Sequence, residues 1–204
     1  MIYITAIQPT KNYKRKVCLS DGTDFVLYKR EVDTFGLCED MELTEKVCHE
    51  LMEQVFIPRA KRRAMHLLER MDRSEAQLRG KLTESGYPAE AVDAAIEYVA
   101  SYHYVDDERL ARSHIRFYQE SRSRMRIAQD LMKKGIDRDV IERCLDEEYV
   151  VSQVDLIRQL MEKRHYNPNQ ATREEKAKMY RFLAQRGFSS GDINRAMGGH
   201  WDYS

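Results

Sequence analysis

The chain has 204 residues, about a third of them Asp, Glu, Lys or Arg, with 34 basic side chains against 34 acidic ones. Such a chain can bury a modest core but not one thick single domain. No run of eighteen apolar residues could span a bilayer, and Met1-Ile-Tyr-Ile-Thr5 lacks the basic flank and long apolar stretch of a signal peptide, so a cytoplasmic protein with no membrane contact is expected.

Residues 2 to 37 read as strands. Ile2, Tyr3, Ile4 and Ile7 open the chain, Val17-Cys18-Leu19 follows, and Phe25-Val26-Leu27-Tyr28 comes after Ser20-Asp21-Gly22-Thr23, where Asp-Gly signals a two-residue hairpin turn. A hairpin or three-stranded sheet of this size is marginal alone and must lean on helices. From Glu39 to Phe56 the apolar positions Met41, Leu43, Val47, Leu51 and Val55 predict a connecting helix.

After Pro58 one helical phrase recurs three times: Leu82 to Gly86-Tyr87, Leu131 to Gly135-Ile136 and Leu183 to Gly187-Phe188. Counted from each glycine, Leu78, Ile127 and Met179 stand eight before. Val92, Ile141 and Ile193 stand six after, Ala95, Cys144 and Ala196 nine after, and Ile96, Leu145 and Met197 ten after. Each phrase describes an amphipathic helix stopped by a left-handed glycine, then a residue packing back, then another helix. Glycine spacings of 49 and 52 residues suit a three-helix unit.

The first helices carry stripes at Ala60, Ala64, Leu67, Leu68 and Met71, at Leu110, Ala111, His114, Ile115 and Tyr118, and at Val150, Val154, Ile157 and Met161. Ser74 to Gln77 and Thr172 to Glu175 are capping boxes for the second helices, with Ser121 or Ser123 serving the middle one. Third helices begin near Pro88, Asp137 and Ser189, and His165-Tyr-Asn-Pro-Asn-Gln-Ala171 lengthens the last unit. The expected architecture is mainly α, with three tandem three-helix repeats in an elongated array after a small N-terminal sheet. Its segments are a strand-rich extension and connector (1–57), repeats at 58–105 and 106–149, and a third repeat with tail (150–204).

Charge is segregated by helix. The second helices are basic: Arg73, Arg79 and Lys81; Arg122, Arg124, Arg126, Lys133 and Lys134; Arg173, Lys176, Lys178, Arg181 and Arg186. Third helices of the first two repeats are acidic: Glu90, Asp93 and Glu97; Asp137, Asp139, Glu142, Asp146, Glu147 and Glu148. Similarly oriented units would present basic helices on one side and acidic ones on another, a shape suited to a polymeric partner, whether phosphates or the acidic stripe of a protein filament. Solvated faces explain most such patterns, but three arginines at 122, 124 and 126 crowd a helix start where cations are unfavourable, which points to binding. The run Arg59-Ala-Lys-Arg-Arg63 shares that property.

No active site emerges. The six histidines include no His-x-x-x-His pair, no glycine-rich loop follows a strand, and no metal or cofactor site is expected. Asp106-Asp107-Glu108 reads as a helix cap rather than a magnesium site. The cysteines, Cys18, Cys38, Cys48 and Cys144, have no paired spacing and read as reduced, packed thiols. Tyr87, Tyr98, Tyr102 and Tyr104 could stack on unpaired bases, but their helical spacing favours core packing. Trp201 and Tyr203 sit in a tail of undecided role, and no sustained heptad seam argues for a coiled-coil dimer, so a monomer is expected.

Three stretches in order, Arg73-Ser-Glu-Ala-Gln-Leu-Arg-Gly-Lys-Leu82, Tyr104-Val-Asp-Asp-Glu-Arg-Leu-Ala111 and Leu131-Met-Lys-Lys-Gly-Ile136, resemble the successive signatures of the RecX family of bacterial recombination regulators. The resemblance covers residues 58 to about 198. It implies tandem three-helix repeats lodged along the groove of a RecA filament on single-stranded DNA, restraining RecA's ATPase, coprotease and strand-exchange activities in recombination, repair and the SOS response. It implies no catalytic residues and spreads contacts over the basic positions named above. Ser101-Tyr-His-Tyr-Val105 departs from the family's usual Gly-Tyr pair, so the turn between repeats one and two is expected to differ. A stand-alone DNA-binding array using the same basic helices is the alternative reading.

Overall fold

A computed structural model describes residues 1–198 of the chain, so Trp201 and Tyr203 lie outside the described residues. The chain divides into two compact units, Met1–Val105 and the remainder from Asp106.

The first unit opens with three antiparallel strands in sequential order, β1 (Ile4–Pro9), β2 (Lys14–Leu19) and β3 (Asp24–Tyr28). The β2–β3 loop differs from the expected two-residue turn. Gly22 N donates to Leu19 O (3.2 Å) and Leu19 N to Thr23 O (2.9 Å), while Gly22 alone in the loop has positive φ, at 84°. That is a three-residue loop with the glycine in the left-handed position, and Asp21 Oδ1 accepts from Thr23 N at 2.9 Å.

Strand character ends earlier than expected. Lys29–Thr34 forms a short helix, α1, because the Glu31 carboxylate accepts the Tyr28 amide at its start (2.7 Å) and Val32 is buried. The connector likewise begins as extended chain, since Ile4 N donates to Met41 O (2.9 Å) and Leu43 N to Ile2 O (2.8 Å), tying 41–43 alongside β1. Helix α2 spans Glu45–Leu51, capped by Thr44, and passes through a π-helical turn at Met52–Phe56 into α3 (Ile57–Leu68). Pro58, which lacks an amide donor and crowds the preceding turn, is accommodated by that widened turn.

Helices α3, α4 (Glu75–Glu84) and α5 (Ala89–Ser101) complete the first repeat. The sheet does lean on them: Ile4, Val17 and Leu27 are fully buried in one core with Ala60, Ala64, Leu78, Leu82, Ala95 and Val99, and Phe25 meets Phe56 edge-on at 5.5 Å.

The second unit holds α6 (Asp107–Tyr118), α7 (Arg124–Lys133) and α8 (Arg138–Glu148), then α9 (Gln153–Glu162), α10 (Arg173–Gln185) and α11 (Ser190–Met197). Asp106 caps α6 by accepting from Arg109 N, and Ser123, not Ser121, caps α7. Of the anticipated stripe residues, Met71 and Val150 are exposed instead, because both fall outside the helices they were assigned to.

The recurring phrase becomes one recurring geometry. Gly86, Gly135 and Gly187 take φ of 80°, 79° and 81°. In each case the following residue donates to the leucine carbonyl five back, Tyr87 to Leu82 (3.4 Å), Ile136 to Leu131 (3.3 Å) and Phe188 to Leu183 (3.3 Å). The register positions counted from the glycines are buried in all three repeats, apart from half-buried Tyr87.

Repeats two and three are pinned together at this turn. Ser123 Oγ donates to the Arg186 carbonyl (2.6 Å) while accepting from Arg126 N (3.2 Å). Arg124 N donates to Gln153 Oε1 at 3.3 Å across the same seam. A Cβ on Gly187 would lie 2.9 Å from Ser123 Oγ, whereas one on Gly86 would meet nothing within 4 Å. Gly86→Ala therefore costs about 1–2 kcal/mol for the left-handed backbone alone, and Gly187→Ala costs about 1–3 kcal/mol more through overpacking. Urea denaturation should rank the two in that order; equal losses would mean the Ser123 hydroxyl moves aside freely.

Helices α6 and α8 are laced by charge. Arg112 reaches Glu108 (2.7 Å), Glu147 (2.6 Å) and Glu148 (3.0 Å), Arg116 holds Glu148 at 2.6 Å, and Arg143 holds Glu108 at 2.7 Å. Hydrogen bonds from Arg116 and then Arg112 bring the Glu148 carboxyl from its ordinary 4.5 down to about 2. On α6, burial and then nearby Lys134 pull the His114 imidazole below 6.5, and its Nε2 is buried without a partner. The Glu148 contribution to stability is whole above its unfolded value of 4.5 and is lost as pH falls toward about 2. His114 is favoured neutral, so its contribution holds above 6.5 and declines once protonation is forced below that value. His114→Phe is expected to flatten the fall in urea midpoint that begins below pH 6.5 while leaving the steeper acid limb below 4.5 intact; an unchanged upper limb contradicts the assignment.

Candidate functional site

Because the second helices carry the candidate contacts, the site is defined by which of their cations already have partners. In repeat one, Arg79 pairs with Asp93 of the third helix and with Glu75 (3.3 Å), and Lys81 pairs with Glu84 (2.6 Å). Arg73 is partly buried, with its Nε unpartnered.

In repeat two the crowded arginines are neutralised locally. Arg122 reaches Asp130 at 2.6 Å and lies over the Tyr118 ring, 3.8 Å from its centroid. Arg124 reaches across to α8, at 2.6 Å from Asp146 and 3.3 Å from Glu142, and Arg126 lies 3.5 Å from Asp130. The unfavourable placement of cations at a helix start is thus offset by carboxylates one or two turns on and on the next helix. Lys133 has no carboxylate partner among the described residues, and Lys134 has a partner within the fold.

Repeat three has fewer carboxylates on its third helix to do this. Helix α8 carries five carboxylates and two arginines, whereas α11 carries Asp192 and Arg195, which pair with each other at 2.6 Å. On α10, Glu175 is occupied by the capping box, accepting from Thr172 N at 2.8 Å. Lys176 makes a contact within the fold, but Arg173, Lys178, Arg181 and Arg186 have no carboxylate within ion-pair distance among the described residues.

Two guanidinium groups instead gather on one ring. Arg164 Cζ lies 3.7 Å and Arg186 Cζ 4.0 Å from the Phe182 centroid. Lys178 stands one turn before Phe182 and Arg181 beside it, and together with Arg164 they line a cleft of about 600 Å³ whose other wall includes Asn167 and Gln170 from the polar interruption. Like charges gather around an apolar ring, and the carboxylate among the lining residues, Glu175, is engaged in the helix cap, which makes the cleft a seat for an anionic partner.

Arg164 and Phe182 were not among the sequence candidates. Lys178, Phe182 and Arg186 recur at i, i+4 and i+8, a signal visible in the sequence, but nothing local places Arg164 on the same ring.

The tyrosines divide. Tyr87 and Tyr98 are partly buried against the first core, as expected, while Tyr102 and Tyr104 are exposed, because they stand at the last turn of α5 and beyond it. In the Arg59–Arg63 run, Arg59 pairs with Glu31 and lies over Tyr28, and Lys61 lies 5.0 Å from the Tyr98 centroid. Among the described residues no group of His, Cys, Asp and Glu is arranged to hold a metal ion, and no helix is long and apolar enough to cross a membrane. Cys144 is buried as expected, Cys18 and Cys48 are half-buried, and Cys38 is exposed rather than packed.

Comparison with known proteins accounts for the repeat. The sequence profiles of the first, second and third RecX three-helix domains match residues 60–98, 106–145 and 152–197. A regulatory protein RecX of Vibrio vulnificus is 33% identical over 135 residues, 66% of this chain and 88% of that one. Another, from Caldanaerobacter subterraneus, is 28% identical over 199 residues and spans 97% of this chain and 98% of its own length. A crystal structure of regulatory protein RecX, 25% identical, superimposes with a TM-score of 0.63 over 97% of this chain and all of that one. With three domains matched in order, the chain belongs to the RecX family of regulatory proteins.

Proposed function

We propose that this protein restrains RecA filaments on single-stranded DNA, lowering their ATPase, coprotease and strand-exchange activities by binding alone, as a cytoplasmic monomer. The observation that carries the reading is the unneutralised cationic surface of repeat three, set on a protein of the RecX family. A filament or a nucleic-acid strand is a repeating anion, and many weak contacts from a repeat array add through effective concentration, so filament binding exceeds binding to a lone RecA monomer.

Local pairing also ranks the candidate cations. Lys178, Arg181 and Arg186 meet a partner without first breaking an ion pair, whereas Arg79, Lys81, Arg122, Arg124 and Arg126 must exchange one acid for another. Arg73, Lys133, Lys134 and Lys176 are secondary contacts in this reading.

Titrating the protein into DNA-dependent ATP hydrolysis by RecA tests the function: inhibition at or below equimolar amounts is expected, and an unchanged rate overturns it. Lys178→Glu with Arg181→Glu is expected to raise the inhibitory concentration tenfold or more, about 1.4 kcal/mol of binding, with the urea midpoint unchanged. Arg124→Glu, which sets a carboxylate against Glu142 and Asp146, is expected to lower the midpoint instead. If the paired reversal abolishes binding to naked DNA yet leaves RecA inhibition intact, the stand-alone DNA-binding reading applies to this surface.

A further inference from the structure

In the first unit a set of aromatic rings is left in solvent. Tyr98 on α5 and Tyr102 just past its end meet edge-on with centroids 5.1 Å apart, and Tyr104 stacks on Tyr102 at 5.9 Å with the planes 22° apart. Tyr102 is 58% exposed and Tyr104 47%. None of the three hydroxyls has a hydrogen-bond partner among the described residues, so the rings are not tethered by their polar tips.

The backbone holds the stack in place. His103 adopts φ of 57°, a left-handed conformation that costs a non-glycine residue about 1 kcal/mol. It lets Tyr104 N donate to Val99 O at 3.0 Å, which swings the Tyr104 ring back beside Tyr102.

Cations lie at the Tyr98 end of the stack. Lys61 Nζ lies 5.0 Å from the Tyr98 centroid, and Arg62 Nε reaches only the Pro58 carbonyl at 3.4 Å; neither has a carboxylate partner among the described residues. With Tyr98 they wall a cleft of about 640 Å³, in which Glu69 is held at 3.5 Å from His66. The carboxylates of α5, Glu90, Asp93 and Glu97, recur on a strip roughly a quarter-turn from Tyr98.

We propose that Tyr102 and Tyr104, continued through Tyr98 to the Lys61 and Arg62 cleft, form a stacking platform for unpaired bases of a single strand. Exposed π-faces recognise bases of any identity, the cations take the phosphates, and a duplex offers no free base face to stack. That the strand is DNA rests on the RecA-filament reading above. The platform lies on the first helix of repeat one and on the turn that follows its third helix, apart from the second-helix cations.

The test is fluorescence anisotropy of a short labelled oligo(dT) over a range of salt. Tyr102→Ala with Tyr104→Ala is expected to weaken binding at least fivefold, about 1 kcal/mol for one lost stack, with an unchanged salt slope. Tyr102→Phe with Tyr104→Phe is expected to bind within twofold of the parent. Lys61→Gln with Arg62→Gln is expected to flatten the log–log salt slope by about 0.7 per lost contact. Should the alanine variant fold poorly, Tyr102→Leu with Tyr104→Leu keeps apolar bulk without a π-face and must show the same loss. An alanine or leucine variant that binds as the parent does, or a parent that binds abasic strand or duplex as tightly as oligo(dT), overturns the platform. RecA ATPase titration with the parent separates the two readings: base-dependent strand binding without RecA inhibition sinks the filament reading and leaves the platform standing.

Discussion

Three times in this chain a helix is stopped by a glycine at φ near 80°, and the next residue returns its amide to a leucine carbonyl five positions back. The left-handed backbone is what lets the chain reverse within one residue, and the returning bond closes the helix end that would otherwise leave carbonyls unpaired. Because the turn sets where the third helix starts, it places the six-, nine- and ten-position residues against the second helix. Those residues are buried in every repeat. In repeats two and three the same turn also forms a joint, since the Arg186 carbonyl freed at the helix end receives the Ser123 hydroxyl that caps α7. A Cβ at Gly187 would intrude on that hydroxyl, so one residue serves both the bend within a repeat and the seam between two.

Around this scaffold, charge is spent locally where an acidic neighbour exists and is left over where it does not. Arg79 and Arg124 both reach from a second helix to carboxylates on a third, and Arg112 gathers three glutamates. Exposed pairs of this kind add little stability on their own, yet they remove the field that would draw an anion. In repeat three α11 offers no spare carboxylate, and Arg164 and Arg186 settle on the face of Phe182. Overall neutrality is therefore compatible with one region of uncompensated positive charge.

The two surfaces singled out differ in kind. The Phe182 cleft is suited to charge and is indifferent to what carries it. The tyrosine stack is suited to flat π-faces and requires only modest help from Lys61 and Arg62. One would respond steeply to salt and the other weakly, so their contributions are separable in solution.

The repeat, its glycine stops, its caps at Ser74, Asp106 and Thr172, and nearly all of its buried positions were legible in the sequence, because helix periodicity and capping are local and period-specific. The N-terminal region was less so: the Lys29–Thr34 helix depends on one carboxylate folding back onto Tyr28, and the extended run at 41–43 depends on β1 lying beside it. Segregation of charge by helix was visible in the sequence as well, but the pairings were not. Whether an arginine is free depends on what lies within about 4 Å across a helix interface, and a one-dimensional string cannot report that distance. Arg124 and Arg181 read alike in sequence; only packing set one against Asp146 and left the other open. The same holds for Tyr98 and Tyr102, a single turn apart, of which the core could cover only the first.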